Sequence, residues 1–171
     1  MISKEMEQAF NEQLNKELYS AYLYLAMSAY CAAEGFPGFS HWMRLQYEEE
    51  MMHAMKLYDY ILERDGSVQL QQIDQPPREF GSPVEVFEKT LAHEQFITQS
   101  INDLIGLAVD ERDFASQAFL QWFVTEQVEE EANVKDILAP LRMIGKEGGG
   151  LMMIDQKLAR RAAPAPVDTN N

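Results

Sequence analysis

Four long stretches of this chain carry apolar residues at helical spacing, and each of the four stripes turns polar near its middle. Core positions of a packed helix recur at steps of three and four. The first stretch, about residues 4–33, gives Phe10, Leu14, Glu17, Ala21, Tyr24 and Ser28. The second, about 39–64, gives Phe39, Met43, Gln46, Glu50, His53, Leu57 and Tyr60. The third, about 82–109, gives Phe87, Leu91, Glu94, Ile97 or Thr98, Ile101, Ile105 and Ala108. The fourth, about 114–144, gives Leu120, Phe123, Gln127, Glu130, Val134, Ile137, Leu141 and Ile144. The residues that break the apolar pattern are Glu17, Glu50, His53, Glu94, Gln127 and Glu130.

Gly and Pro punctuate the chain between these stretches, at 35–38, 66, 76–83 and 145–150. Ser82-Pro83-Val84-Glu85 reads as an N-cap, a first-turn proline and a glutamate placed to close a capping box. Pro140 sits near the end of the fourth stretch, where it is expected to kink a helix. Short connections after the first and third stretches make two antiparallel hairpins. The connection over 65–81, with Pro76-Pro77 and no helical period, is long enough to cross the length of a bundle. The expected fold is therefore all-α: a four-helix bundle with a long crossover between its second and third helices and a short fifth helix over about 149–160. If the first and third helices run one way and the second and fourth the other, the six polar residues fall at similar height. One domain over 1–160 is expected, followed by a disordered Ala- and Pro-containing tail over 161–171.

A buried unpaired carboxylate costs several kcal/mol, and four together repel one another. No Lys or Arg occupies the stripes near that level. A divalent metal is the simplest counter-charge. Hard oxygen donors with one imidazole suit Fe, Mn or Zn better than Cu(I), and bridging carboxylates favour a dinuclear site. Glu50 and His53 share one helix face, a turn apart. Glu-x-x-His alone is a weak signal; the coincidence across four helices supplies the specificity. Glu49, Glu126 and Glu129 lie one position off the stripes. They fit either a third metal position or a solvated acidic face. Tyr24 follows Glu17 by a heptad and needs a polar partner in a core. Trp42 and Trp122 read as packing aromatics, and His41 and His93 as off-stripe residues near the surface. Met51 and Met52 read as packing residues rather than haem ligands.

The chain carries 28 acidic against 14 basic residues, a net charge of −14 that disfavours a phosphate backbone as partner. Its single cysteine, Cys31, rules out an intramolecular disulfide and reads as a buried small hydrophobe. No apolar run is long enough to span a membrane, and the N-terminal residues lack a secretory pattern, so a soluble cytoplasmic protein is expected.

The run Asn11-Glu12-Gln13-Leu14-Asn15-Lys16-Glu17-Leu18-Tyr19-Ser20 resembles the first-helix motif of bacterial non-haem ferritins. So do Glu48-Glu49-Glu50-Met51-Met52-His53, His93-Glu94-Gln95, and the run from Phe119 to Glu131. The resemblance covers about residues 1–160. It implies a ferritin-like bundle, a shell of twenty-four subunits, Fe²⁺ oxidation by O₂ at a ferroxidase centre, and a stored iron oxide-hydroxide. Carried onto this chain, it makes Glu17, Glu50, His53 and Glu94 iron ligands, with Glu50 bridging. It adds Gln127 and Glu130 at the second iron, and Glu49, Glu126, Glu129 and Glu130 at a third. Tyr24 takes the place of the tyrosine beside the centre. Haem-binding bacterioferritins have a second Glu-x-x-His on the fourth helix, where this chain reads Gln127-x-x-Glu130; this favours the non-haem branch. Two rival expectations remain at this level. One is a di-iron oxidase or peroxidase that stores no mineral; the other is a helical assembly module whose acids hold adventitious cations.

Overall fold

The computed structural model describes residues 2–144 and 148–163. Among the described residues the chain forms helices α1 (Lys4–Ala33), α2 (Pro37–Glu63), α3 (Pro83–Asp110), α4 (Phe114–Ile144) and α5 (Gly148–Leu158), and no strand. Local chemistry sets most ends. Ser3 caps α1 by accepting from the Met6 amide. The Ser82–Glu85 capping box forms as the sequence predicts. After α1, Gly35 takes φ +84°, a left-handed turn that lets the Phe36 amide reach back to the Cys31 carbonyl at 2.9 Å. Phe36, at the start of α2, has no side chain able to cap. Asp155 of α5 supplies the cap instead: its Oδ1 accepts from the Gly38 amide at 2.8 Å and the Phe39 amide at 3.0 Å. A Cβ on Gly38 would lie 1.7 Å from the Asp155 carbonyl oxygen, so only glycine allows this approach.

α1 packs along α2, α3 along α4, and α1 against α3, while α5 rests on α2 and α4. Two apolar clusters fill the bundle ends. One gathers Met27, Phe39, Met43, Phe87, Val134 and Leu138; the other gathers Phe10, Leu57, Ile101, Leu104, Leu120 and Phe123. The first holds the end of α1, the start of α2, the start of α3 and the end of α4. Helices α2 and α3 therefore run parallel to each other and antiparallel to α1 and α4. This corrects the expected sense of α3. The crossover returns the chain to the end where α2 began, so α3 repeats the direction of α2. Bonds at both ends agree: Ser3 Oγ donates to Glu111, and Tyr30 Oη donates to the Gly81 carbonyl. The common level of the polar residues survives because they lie near mid-helix.

The stripes also drift. α3 buries Thr90 and Leu104 where a strict heptad expects Leu91 and Ile105, and α4 buries Leu138 rather than Ile137. A straight helix turns every 3.6 residues, so a seven-residue pattern slips across its face. α4 continues as helix through Pro140. The crossover is held by α1, whose Asn11 bonds the backbone of Ser67 and Gln69, and by Phe80, buried in the first cluster. Of the tail expected over 161–171, residues 161–163 are described, and 164–171 lie outside the described residues.

Candidate metal centre

The six polar stripe residues meet between the two apolar clusters. Glu17, Glu50, His53, Glu94, Gln127 and Glu130 are each at most 3% exposed, and Tyr24 is fully buried. Each large apolar side chain buried around them contributes about 1.5–3 kcal/mol. A buried unpaired carboxylate costs several. Four ionised carboxylates here would offset a sizeable part of the core, so the centre must be neutralised.

Two ligand triads form. Glu17, Glu50 and His53 bring one donor atom each within 4.8 Å of one another, and so do His53, Glu126 and Glu130. His53 Nδ1 lies 3.2 Å from Glu50 Oε2, and its Nε2 lies 4.0 Å from Glu126 Oε1. The Trp122 and Phe123 rings pack edge-on against the imidazole, with centroids 5.4 and 6.1 Å away. Glu94 is held differently: the Tyr24 hydroxyl donates to its Oε1, and Gln127 Nε2 donates to its Oε2 at 3.1 Å. Glu17 Oε2 is buried with no hydrogen-bond partner, an orphaned oxygen at the place where a cation would sit. The donor set, carboxylates with one imidazole, fits a hard or borderline divalent cation.

The protons report the same imbalance. Burial, then the charges of Glu94 and Glu17, hold the Glu50 carboxyl well above its usual range. Burial, then Glu94 and Glu49, push Glu130 up to about 8. Burial raises Glu94 as well, against the pull of the bonds from Tyr24 and Gln127. Burial raises Glu126, and Glu129 and Glu49 add to it. Without metal, the centre satisfies itself by holding protons, and a cation would have to displace them.

Glu129 is exposed and joins neither triad. Glu49 also joins neither, and its Oε2 accepts from Arg161 Nη2 at 2.6 Å. His93 is half-buried, 2.7 Å from Ser20 Oγ, with its ring edge-on to Tyr24 and its pKa pushed by burial down to about 4. Cys31 is buried, as expected.

Two polar chains that the stripes did not reveal end on these carboxylates. Lys16 donates to Ser100 at 2.6 Å, Ser100 donates to Gln13, and Gln13 donates to Glu17 Oε1 at 2.7 Å. Across the other two helices, α2 and α4, Arg161 donates to Gln46, and Gln46 donates to Glu130 Oε2 at 2.8 Å. Each glutamine turns its amide NH₂ toward the glutamate and its carbonyl toward the donor on the cation's side, Ser100 for Gln13 and Arg161 for Gln46. A cation is thereby linked to the centre without entering it. Gln46 sits on a stripe and Gln13 beside one, which is a signal of a sort; Arg161, beyond α5, gave none.

A family model for the ferritin-like domain matches residues 7–144. The chain is similar to the bacterial non-heme ferritin of Campylobacter jejuni, 45% identical over 156 residues, covering 91% of this chain and 93% of that protein. It is 41% identical to that of Escherichia coli O157:H7, covering 93% of this chain and 96% of that protein. Among solved structures, an open pore ferritin from Archaeoglobus fulgidus superposes with a TM-score of 0.94 at 48% identity, covering 95% of this chain and 99% of that one.

Proposed function

The chain belongs to the ferritin family, and from that membership we propose that it stores iron, oxidising Fe²⁺ with O₂ at the buried centre and depositing the Fe³⁺ product inside a shell of twenty-four copies. The observation that carries this reading is the donor set itself: four buried carboxylates and an imidazole with no cationic side chain among them, as far as the described residues extend. Glu17, Glu50 and His53 are proposed to hold one Fe²⁺, and Glu50, Glu94, Glu130 and Gln127 the second, with Glu50 bridging. Glu126, Glu129 and Glu49, with Glu130, are proposed as a third, looser position.

Each residue type has a task. Anionic oxygens favour Fe³⁺ over Fe²⁺ and so lower the barrier to electron loss. Tyr24 fixes the orientation of Glu94. Gln127-x-x-Glu130, standing where a second Glu-x-x-His would tighten the site, puts a neutral amide in the glutamate's place and a carboxylate in the histidine's, and leaves the second iron less firmly held and free to move onward. One cysteine in the whole chain fits a reducing compartment, and we place the protein in the cytoplasm. No helix among the described residues is long and apolar enough to cross a membrane.

Aerobic addition of Fe²⁺ to the purified, metal-free protein tests the reading. A large shell that takes up far more iron than its centres can hold supports it. A discrete small oligomer that stops at two irons per chain overturns storage and leaves a di-iron oxidase.

A further inference from the structure

Arg161 binds one oxygen of Glu49 at the edge of the centre. The geometry points to this arginine as a tethered cation that competes with a divalent metal for Glu49, so that the third position is gated by the chain's own C-terminal arm. The inference rests on the proposed metal centre and concerns a residue that the centre does not contain.

The guanidinium is built in rather than draped over the surface. Its Nη2 donates to Glu49 Oε2 at 2.6 Å, a second N–H donates to Gln46, and its carbon lies 4.8 Å from the centroid of the buried Trp42 ring. The Arg161 carbonyl oxygen lies 3.0 Å from His41 Nε2. The arm is anchored just upstream, by the Asp155 cap on α2 and by the buried Leu158. Gln46 is fully buried, so the bond from Arg161 reaches Glu130 through one amide.

The consequence for Glu49 is direct. The triad beside it takes His53, Glu126 and Glu130, but not Glu49, whose Oε2 is engaged by the arginine. Arginine keeps its charge at any working pH, so only displacement frees this oxygen. A divalent cation that recruits Glu49 through Oε2 must break a charge-assisted hydrogen bond and lift the guanidinium from Trp42. By linkage, the same cation loosens the arm by as much as the arm weakens the cation. Third-position occupancy is thus readable at the C-terminal end of the described chain.

Trp42 and Trp122 are the only tryptophans in the sequence, so a Trp122→Phe background leaves Trp42 as sole reporter. The experiment titrates the assembled, metal-free protein with Zn²⁺, which has no redox chemistry, and follows heat and Trp42 emission together. The parent is expected to take up two tight equivalents and one weaker, with Trp42 emission changing at the weaker step. Arg161→Gln should tighten that step by roughly tenfold, the scale of one lost charge-assisted competitor, and abolish its emission change. Adding Glu49→Gln to Arg161→Gln should remove the gain. Arg161→Lys keeps the charge and should stay nearer the parent. Superimposable titrations of the parent and Arg161→Gln would overturn the gate, as would equal tightening in the Gln and Lys variants. Failure of the metal centre itself looks different: Glu50→Gln would then cost no Zn²⁺ equivalent.

Discussion

Two polar clusters interrupt the packing of this bundle, and they are opposites. At the end of α2, Arg64 donates to both oxygens of Asp113 at 3.1 Å and to Ser116 and Tyr60, while Ser116 donates to Asp113 at 2.7 Å. One cation meets one anion there, and each is bonded to the other. Burial would raise Asp113, but the bonds from Ser116 and Arg64 hold its carboxyl below the usual range. At mid-height, four carboxylates meet with no cationic side chain among the described residues beside them, and the carboxyls of Glu50, Glu94 and Glu130 are all raised. A polar cluster that serves the fold is balanced and strengthens its own ionisation. A cluster that opposes its own ionisation has to be kept for what it binds.

Glu50→Gln should break this contrast most sharply. It removes the carboxylate proposed to bridge the two irons, and O₂ consumption on Fe²⁺ addition should fall by about a hundredfold or more, equal to roughly 2.7 kcal/mol in barrier. The same change removes one of the mutually repelling acids, so the metal-free variant should unfold at equal or higher denaturant than the parent. An Fe²⁺ oxidation rate that matches the parent would remove Glu50 from the site.

Asp113→Ala should do the reverse. Loss of the charged partner of Arg64 should cost about 1.5–3 kcal/mol in urea unfolding while Zn²⁺ stoichiometry stays unchanged. A drop in metal binding without a loss of stability would contradict the division of labour.

pH should separate the clusters by sign. Glu130 is raised from 4.5 to about 8 in the folded, metal-free chain, so its contribution is fully present below pH 4.5 and is lost as pH rises through about 8. Asp113 is lowered from 3.8, so its contribution is present above that value and is lost as pH falls through the lower folded value. Metal-free stability should therefore decline between about pH 5 and 8, Glu130→Gln should flatten that decline, and Asp113→Asn should flatten only the acid limb. Parallel curves for both variants would show that the shifts are not felt in folding.

Much of the molecule was legible in the sequence where the signal is local. The Ser82–Glu85 box and the glycines and proline at 35–38 mark helix ends within a few residues, and the ends follow. The convergence of Glu17, Glu50, His53, Glu94, Gln127 and Glu130 was legible because an acid in an apolar stripe is too costly to bury unless something binds it there. The sense of α3 was not in its stripe, which reads the same in either direction, but in the crossover: a connection that crosses the bundle starts α3 at the end where α2 began. Arg161 was not legible, since it meets Glu49 across 112 residues of chain after the last apolar pattern has ended. Contacts of that span obey no spacing rule that a single sequence exposes.

The borrowed cap of α2 sets an order of assembly. Gly38 waits for Asp155, 117 residues later, and a ribosome adding about 5–20 residues per second takes roughly 6–23 seconds to cover that distance. Through that interval the helix carrying Glu50 and His53 has its first amides open to water. The centre receives Glu17, Glu50 and His53 early in synthesis and Glu94, Gln127 and Glu130 later, and its framework closes only when the last described helix emerges.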